Sequence, residues 1–372
     1  MTGHAVRLAM VAALAFILTG LAQADFKFSG YTQVRYNFWD ADYANSKHFN
    51  AFQARRVRLK AVNAFNDDTS ITLQLDFGAW LDDEAPGTVQ VKDAVITHKL
   101  SPEWNATLGF MQMPFGYEVP SSDSANRCFE KSQVMNQFFP GERDTGLYLH
   151  FTPAAAHAPR VDFGVSNGLK KWYDTTTKTA GPAAGTGITD TSARDRNDRA
   201  LVGRLSWALP NGGTAGLSYM KDDRSLETTT RTSGDATADP ATGPTLGVST
   251  TKFHDHVWGA HVRYQFPNQC ALQGEYFSGK LLGMEASGWY ALGEYKVAQS
   301  PTTVFYRYDT FDNGKALSAS NNPDFNRHTL GVTWDRNANE RATFQVEKLQ
   351  DNAITGGNRD YTNFGVQYQV KY

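Results

Sequence analysis

Residues 257–266, VWGAHVRYQF, alternate apolar and polar side chains with a period of two. Trp258 and Val262 fall on one face of this segment, and His261 and Arg263 fall on the other. Such alternation indicates a β-strand with one apolar and one polar face. The pattern recurs along the chain and predicts sixteen strands, near residues 26–39, 50–65, 70–80, 88–100, 104–115, 144–152, 160–167, 199–209, 214–222, 255–267, 270–280, 286–298, 302–311, 327–336, 341–350 and 361–372.

The connections between these predicted strands alternate in length. Short turns such as 66–69 and 210–213 are interspersed with long segments that include 116–143, 168–198 and 223–254. A soluble β-sandwich has no reason to place its long loops at one end, whereas an outer-membrane barrel has short periplasmic turns and long external loops. We therefore predict an all-β fold, a single transmembrane antiparallel β-barrel of about 16 strands that is wide enough to enclose water.

The first 24 residues have the organisation of a secretory signal peptide. Arg7 precedes an apolar run from Leu8 to Leu21, and Ala22-Gln23-Ala24 is a small-residue cleavage site. We predict that residues 1–24 are cleaved and that residues 25–372 form one barrel domain in the outer membrane of a Gram-negative-type bacterium. The last strand ends on Tyr372, which resembles the terminal aromatic that the barrel-assembly machinery recognises.

Composition excludes several other classes of protein. Lys and Arg total 36 against 38 Asp and Glu, and this balance argues against a nucleic-acid partner. Two cysteines cannot build a disulfide scaffold. We expect no bridge between Cys128 and Cys270, because the predicted topology places them toward opposite ends of the barrel. We expect no cofactor and no metal site, since the pair His254 and His256 is weak evidence for one.

Three segments carry a family resemblance: Leu108–Glu118 (LGFMQMPFGYE), Phe129–Lys131 (FEK) and Pro140–Gly146 (PGERDTG). They resemble the strand end, the loop stretch and the re-entry motif of the phosphate-selective porin O/P family. This resemblance implies a sixteen-stranded, often trimeric porin whose long third loop narrows the lumen and whose function is passive diffusion of small hydrophilic solutes. Gln112 and Lys131 stand where the family pattern has Lys and Arg, so phosphate selectivity is not implied with the same strength.

The predicted strand 50–65 carries three basic side chains on one face. If Val57 and Leu59 face lipid, then Arg56, Arg58 and Lys60 point into the lumen. The opposite register would expose these charges to hydrocarbon at a cost of ~2–4 kcal/mol each near the midplane. A basic ladder on a pore wall attracts anions and discourages cations.

Other charged side chains are also predicted to line the pore. The candidate selectivity residues are Arg56, Arg58, Lys60, Arg127, Lys131, Arg204, Arg263 and Arg307. The acidic side chains predicted to face them are Asp76, Glu275, Glu294, Asp309 and Glu347. Two interpretations stay open: a net preference for anions such as phosphate, or acids and bases that pair across the wall and create only a transverse field.

The segment 116–143 is too apolar for a freely solvated external loop. Phe129, Phe138 and Phe139 are expected to pack against the barrel wall, which predicts a third loop folded toward the lumen. Arg127 and Lys131 are then the best candidates for pore-facing charges on this loop. The alternative is an external loop held at a trimer interface.

Two functions from other classes remain as alternatives to a diffusion porin. The barrel is also compatible with a sheath around a partner such as an electron-transfer cytochrome. A barrel enzyme is less favoured, because the sequence offers no persuasive set of nucleophile, base and acid on the wall.

Overall fold

Antiparallel strands make up most of the described chain. The computed structural model describes residues 26–41, 50–78, 89–139, 141–155, 158–168, 188–192, 199–231, 245–281, 283–312, 324–351 and 360–372. The strands are β1 (Lys27–Ala41), β2 (Asn50–Ala64), β3 (Thr69–Asp76), β4 (Gln90–Lys99), β5 (Trp104–Gln112), β6 (Arg143–Phe151), β7 (Arg160–Ser166), β8 (Ile188–Ser192), β9 (Arg199–Leu209), β10 (Gly213–Arg231), β11 (Thr245–Gln265), β12 (Cys270–Leu281), β13 (Met284–Lys296), β14 (Thr302–Asp312), β15 (Phe325–Asp335), β16 (Glu340–Asp351) and β17 (Tyr361–Lys371). Within these described ranges there are also one α-helix, α1 (Gln133–Phe138), and two 3₁₀ turns, Asp123–Ala125 and Pro210–Gly212.

The sheet closes on itself through its first and last strands. Strand β1 pairs with β2 on one side and with β17 on the other, for example Thr32 with Val57 and with Val370. Strand β7 pairs directly with β9, so sixteen strands form the wall, and the short β8 pairs with the far end of β10. A closed wall leaves no unpaired edge, as a sheet in lipid requires. The predicted sixteen-stranded antiparallel barrel is confirmed.

The two faces of the wall differ in polarity. Leu217 and Leu330 are each 55% exposed on the outward face, as a lipid-facing side chain should be. The inward face carries buried polar and charged groups such as Arg58 and Gln369. A barrel of this kind has a low mean hydropathy, because half of each strand faces water or polar protein. Within the described residues, no helix is long and apolar enough to cross a bilayer.

Aromatic side chains cluster on the outward face. The ring centroids of Trp289 and Tyr308 lie 5.2 Å apart, and those of Trp104 and Phe151 lie 4.9 Å apart. Trp258 is 60% exposed on this face. Amphipathic rings on the lipid-facing side of a barrel favour the membrane interfaces.

Strands β10 and β11 extend well beyond their predicted ends. Pairing continues from Asp223 opposite His254 to Thr230 opposite Gly247. The interpretation of 223–254 as irregular loop is therefore wrong at both of its ends. The run Thr228–Thr230 is β-branched, and β-branched side chains favour an extended backbone. This hairpin therefore projects past the neighbouring strands at the end that carries the long loops.

A β-bulge interrupts the pairing of β1 with β2. Gln33 lies opposite Arg56, whereas Val34 lies opposite Ala54, so Arg55 is the extra residue. A bulge re-aims the side chains around it. As a result Arg55 and Arg56, although adjacent in sequence, both reach the same carboxylate on the inward side.

Candidate functional site

The segment 116–142, called the inner loop from here on, joins β5 to β6 and lies against the inward face of the wall. Its first residues are clamped by side chains from three strands. Gly116 donates its N–H to Ser218 Oγ at 2.9 Å and accepts a hydrogen bond from Arg204 at 3.0 Å. The next two backbone N–H groups, of Tyr117 and Glu118, donate to the Glu275 carboxylate at 2.8 and 2.7 Å.

An apolar core fills the space between the inner loop and the wall. Phe138, on α1, lies 5.6 Å from Phe277 on β12 and 5.8 Å from Phe311 on β14, between ring centroids. Phe115 and Phe139 pack beside them in a tilted arrangement with centroids 4.4 Å apart. All five rings are at most 1% exposed. Part of the barrel interior is therefore dry protein rather than water, and the inner loop is held by hydrophobic burial as well as by charge.

The inner loop also approaches the wall closely on the side of β17. A side chain added at Gly365 would collide with the ring of Phe129. Arg35 lies over the same ring, with its guanidinium carbon 4.5 Å from the ring centroid. Glycine at this wall position lets the aromatic side chain seat against the backbone.

One carboxylate of the inner loop, Glu130, binds three arginines of β1 and β2. Its oxygens lie 2.9 Å from Arg35 Nη2, 2.8 Å from Arg55 Nε and 2.5 Å from Arg56 Nη2. Burial alone would raise the pKa of Glu130, but the guanidinium groups of Arg56, Arg55 and Arg35 hold it well below its usual range. Glu130 is therefore ionised in this site at neutral pH.

A second carboxylate of the inner loop, Asp123, binds two arginines of β2. Its Oδ2 lies 2.7 Å from Arg58 Nη2 and 3.4 Å from Arg56 Nε. Arg58 also donates to Asp76 on β3 at 2.9 Å. Burial would raise the pKa of Asp123, but the charges of Arg56, Lys131 and Arg58 lower it below its usual value.

The far side of the inner loop is bound to β13–β16. Arg127 pairs with Glu294 at 3.1 Å and with Asp335 at 2.9 Å. Arg307, on β14, pairs with Asp309 at 2.9 Å and donates to the backbone carbonyl of Glu130 at the same distance. The inner loop thus contacts an arc of wall that runs from β9 through β17 to β2.

The described residues line two water-accessible cavities in the part of the lumen that the inner loop leaves open. The external vestibule, of about 630 Å³, reaches the outer ends of β1 and β17. The periplasmic vestibule, of about 450 Å³, reaches the chain end at Tyr372. Arg58 and Arg143 line both cavities, so these two side chains mark the level at which the vestibules meet.

Basic side chains outnumber acidic ones in both vestibules. The external vestibule is lined by eight basic and five acidic side chains: Arg35, Arg55, Arg56, Arg58, Lys92, Lys131, Arg143 and Arg327 against Asp76, Asp123, Glu130, Glu142 and Glu347. The periplasmic vestibule is lined by four basic side chains and one acidic: Arg58, Lys60, Arg143 and Lys371 against Asp93. Fixed charge of one sign along a water path concentrates ions of the other sign.

Five of the predicted selectivity residues fall into two groups. Arg56, Arg58 and Lys60 line the vestibules from β2, in the inward orientation expected for them. The second group, Arg204 and Arg263, lies at the edge of the inner loop. Arg204 forms an ion pair with Asp162 at 2.6 Å, and Arg263 donates a hydrogen bond to Gln273 at 2.9 Å.

Two of the predicted residues, Lys131 and Arg307, are almost fully buried and find their partners within the protein. Lys131 is 2% exposed, and its ammonium pairs with Glu142 at 2.6 Å and donates to the carbonyl of Val119. Arg307 is also 2% exposed, because the inner loop covers it. Both side chains brace the loop, since burial forces each of them to find its partners within protein.

Several residues of the site were absent from the sequence-based set. Arg35, Arg143 and the two loop carboxylates Asp123 and Glu130 all line a vestibule. Arg35 shares the polar face of β1 with Gln33, so period-two alternation carries a signal for it. Arg55 has no such signal, because strict alternation through β2 would point it at lipid.

The family comparison covers nearly the whole chain. Residues 26–372 match the family described as phosphate-selective porin O and P. Among curated proteins, no sequence matches the chain significantly.

Solved structures share the fold at low sequence identity. The outer membrane channel DcaP of Acinetobacter baumannii superposes with a TM-score of 0.64 at 14% identity, over 94% of this chain and 98% of that one. Pseudomonas putida OprB gives 0.58 at 12% identity, over 96% and 97%. The trimer form of Vibrio cholerae OmpT gives 0.58 at 9% identity, over 94% and 99%. With its family match and its closed barrel, the chain belongs to the phosphate-selective porin O and P family and forms an outer-membrane diffusion channel.

Proposed function

We propose that this channel favours small hydrophilic anions over cations. The observation that carries the proposal is the excess of basic side chains in both vestibules, including Arg58 and Arg143 where the vestibules meet. Many of these bases are paired, so the field is weaker than a count of charges implies. Lys60 adds an unshared charge, because it has no ion pair with any residue of the described ranges.

We also propose that the inner loop forms the constriction. Its anchors on β9, β12 and β14 hold it across the lumen, and its carboxylates Asp123 and Glu130 line the external vestibule. The solute then passes along the part of the wall formed by β2–β6, whose side chains line the two vestibules together with those of the inner loop. Inorganic phosphate is the first anion to try, since both its size and its charge suit a site made of guanidinium groups.

We propose further that residues 1–24 are a signal peptide that is cleaved on export, and that the mature chain assembles as a homotrimer. The family match begins at residue 26, next to the predicted cleavage site. The trimer form of Vibrio cholerae OmpT, which shares the fold, supports the trimer. In this proposal the channel is surrounded by outer-membrane lipid and needs no cofactor.

The proposal assigns the protein no enzymatic activity. One hydrogen-bonded chain on the inner wall has the order of a hydrolase triad: Thr107 Oγ1 lies 2.9 Å from His150 Nε2, and His150 Nδ1 lies 2.7 Å from Asp162. Asp162 is, however, shared with Arg204, which fastens the root of the inner loop. A structural role for this chain therefore accounts for its contacts.

Single-channel recording in a planar bilayer tests the anion preference. Under a KCl gradient we expect a reversal potential of the sign for chloride selectivity. Lys60→Ala should shift this potential toward zero, because it removes an unpaired charge from the periplasmic vestibule. Lys348→Ala, which removes a charge from the exposed outward face, is the matched control and should leave the potential unchanged. A cation-selective wild-type channel would refute the proposal.

A further inference from the structure

Glu130 is bound in the way an external anion would be bound. The three guanidinium groups around it come from Arg35, Arg55 and Arg56 on the wall, whereas the carboxylate comes from the inner loop. Asp123 also lies 3.4 Å from Arg56, so three guanidinium groups face two carboxylates and leave a local excess of one positive charge. Guanidinium forks match carboxylate and phosphate oxygens equally well, so this trio is a preformed site for a small anion.

The site is open to the water of the channel. The Glu130 side chain keeps 28% of its surface exposed, and Arg55 keeps 38%. Arg35 and Arg56 are only 7% exposed at their side chains, which fixes their position. All four residues line the external vestibule. A solute in this vestibule therefore meets two buried arginines, one partly exposed arginine and the carboxylate that occupies them.

The inner loop does not depend on Glu130 to stay in place. Asp123 holds it to Arg58 at 2.7 Å, and Arg127 holds it to Asp335 at 2.9 Å. The aromatic core around Phe138 anchors its other side. The Glu130 side chain can therefore rotate away from the arginines while the backbone of the inner loop keeps its place.

We propose that Glu130 is a built-in occupant of an anion site formed by Arg35, Arg55 and Arg56, and that a small dianion with carboxylate or phosphate oxygens takes the site by displacing it. The transport role of this site rests on the proposed anion preference. Competition from Glu130 keeps the affinity low, and a channel needs binding strong enough to admit a solute and weak enough to release it. Glu130 is thus a residue that determines specificity.

Calorimetric titration of the purified full-length protein in detergent tests the site directly. The probes are glutarate, which carries carboxylates, and inorganic phosphate. Glu130→Gln should lower the dissociation constant of at least one probe by about tenfold or more, since close charge pairs across a site couple by amounts of this order. The probe that gains more identifies the preferred oxygen chemistry.

Two control variants separate this effect from other causes. Glu130→Asp keeps the charge and should keep the low affinity of the wild type. Glu285→Gln makes the same change of charge on the exposed outward face and should have no effect. An unchanged or weakened affinity in Glu130→Gln for both probes would overturn the inference.

Conductance distinguishes this inference from the proposed function. An anion-selective wild type with no gain of affinity in Glu130→Gln would refute the inference alone. Tight binding by Glu130→Gln in a channel without anion selectivity would refute the proposed function and leave the binding site standing. A severalfold rise in the conductance of Glu130→Gln would mean that the inner loop had moved, and would overturn the inference.

Discussion

Single residues decide how closely the inner loop seats against the wall. Gly365 lies under the ring of Phe129, and an added side chain would collide with that ring. Gly365→Val should therefore lower the temperature at which the barrel unfolds, because overpacking of this kind costs about 1–3 kcal/mol. Circular dichroism or heat-dependent gel migration measures that temperature.

Gly293→Val is the matched control for this prediction. The space around Gly293 is open, with no heavy atom within 4 Å of an added Cβ. Its unfolding temperature should stay close to that of the wild type. Equal losses in the two variants would show that strand flexibility, and not the contact with Phe129, accounts for the glycine.

At the scale of elements, the inner loop depends on its buried aromatic core. Phe138 on α1 is fully buried between Phe277 and Phe311. Phe138→Ala should cost about 3–5 kcal/mol of packing, because it leaves a cavity in a dry interior. We expect the inner loop to detach in part, with a higher and noisier single-channel conductance and with trypsin cleavage after Arg127 or Lys131.

The control for that element is a phenylalanine on the other face of the wall. Phe344 is 54% exposed toward lipid, so Phe344→Ala removes the same side chain without touching the inner loop. Its conductance and protease resistance should match the wild type. A Phe138→Ala channel that behaves like Phe344→Ala would contradict the role of the core.

Some features of the strands could be predicted from local sequence, and others could not. The inward orientation of Arg56 and Arg58 was predictable, because charge in hydrocarbon is costly enough to fix the register of β2. The bulge at Arg55 was not, since one inserted residue leaves no trace in a period-two pattern. The length of the β10–β11 hairpin was also missed, because polar threonines resemble loop composition.

The charged site depends on distances that local sequence does not contain. Glu130 meets Arg35 and Arg56, which lie 95 and 74 positions earlier in the chain. Alternation assigns a side chain to a face but not to a depth, so it cannot say which charges meet. For the same reason the sequence could not show that Lys131 pairs with Glu142 of the same loop at 2.6 Å.

At the scale of the whole molecule, the net charge conceals the field in the lumen. The chain as a whole carries a formal charge of −2, yet basic side chains predominate in both vestibules. The proposed homotrimer would place three such lumens side by side. Native mass spectrometry or cross-linking in a mild detergent should give three times the mass of the mature chain, and a monomer throughout would contradict the assembly.

The pairing of β1 with β17 has a further consequence for how the molecule is made. Tyr31 lies opposite Lys371, so the seam of the barrel joins residues from the two ends of the folded chain. Contacts between such distant residues form slowly, because the entropy of closing a long loop must be overcome first. One edge of β1 therefore stays unpaired until β17 has formed. A chain that stops before residue 361 would lack β17, and this edge of β1 would then have no strand to pair with.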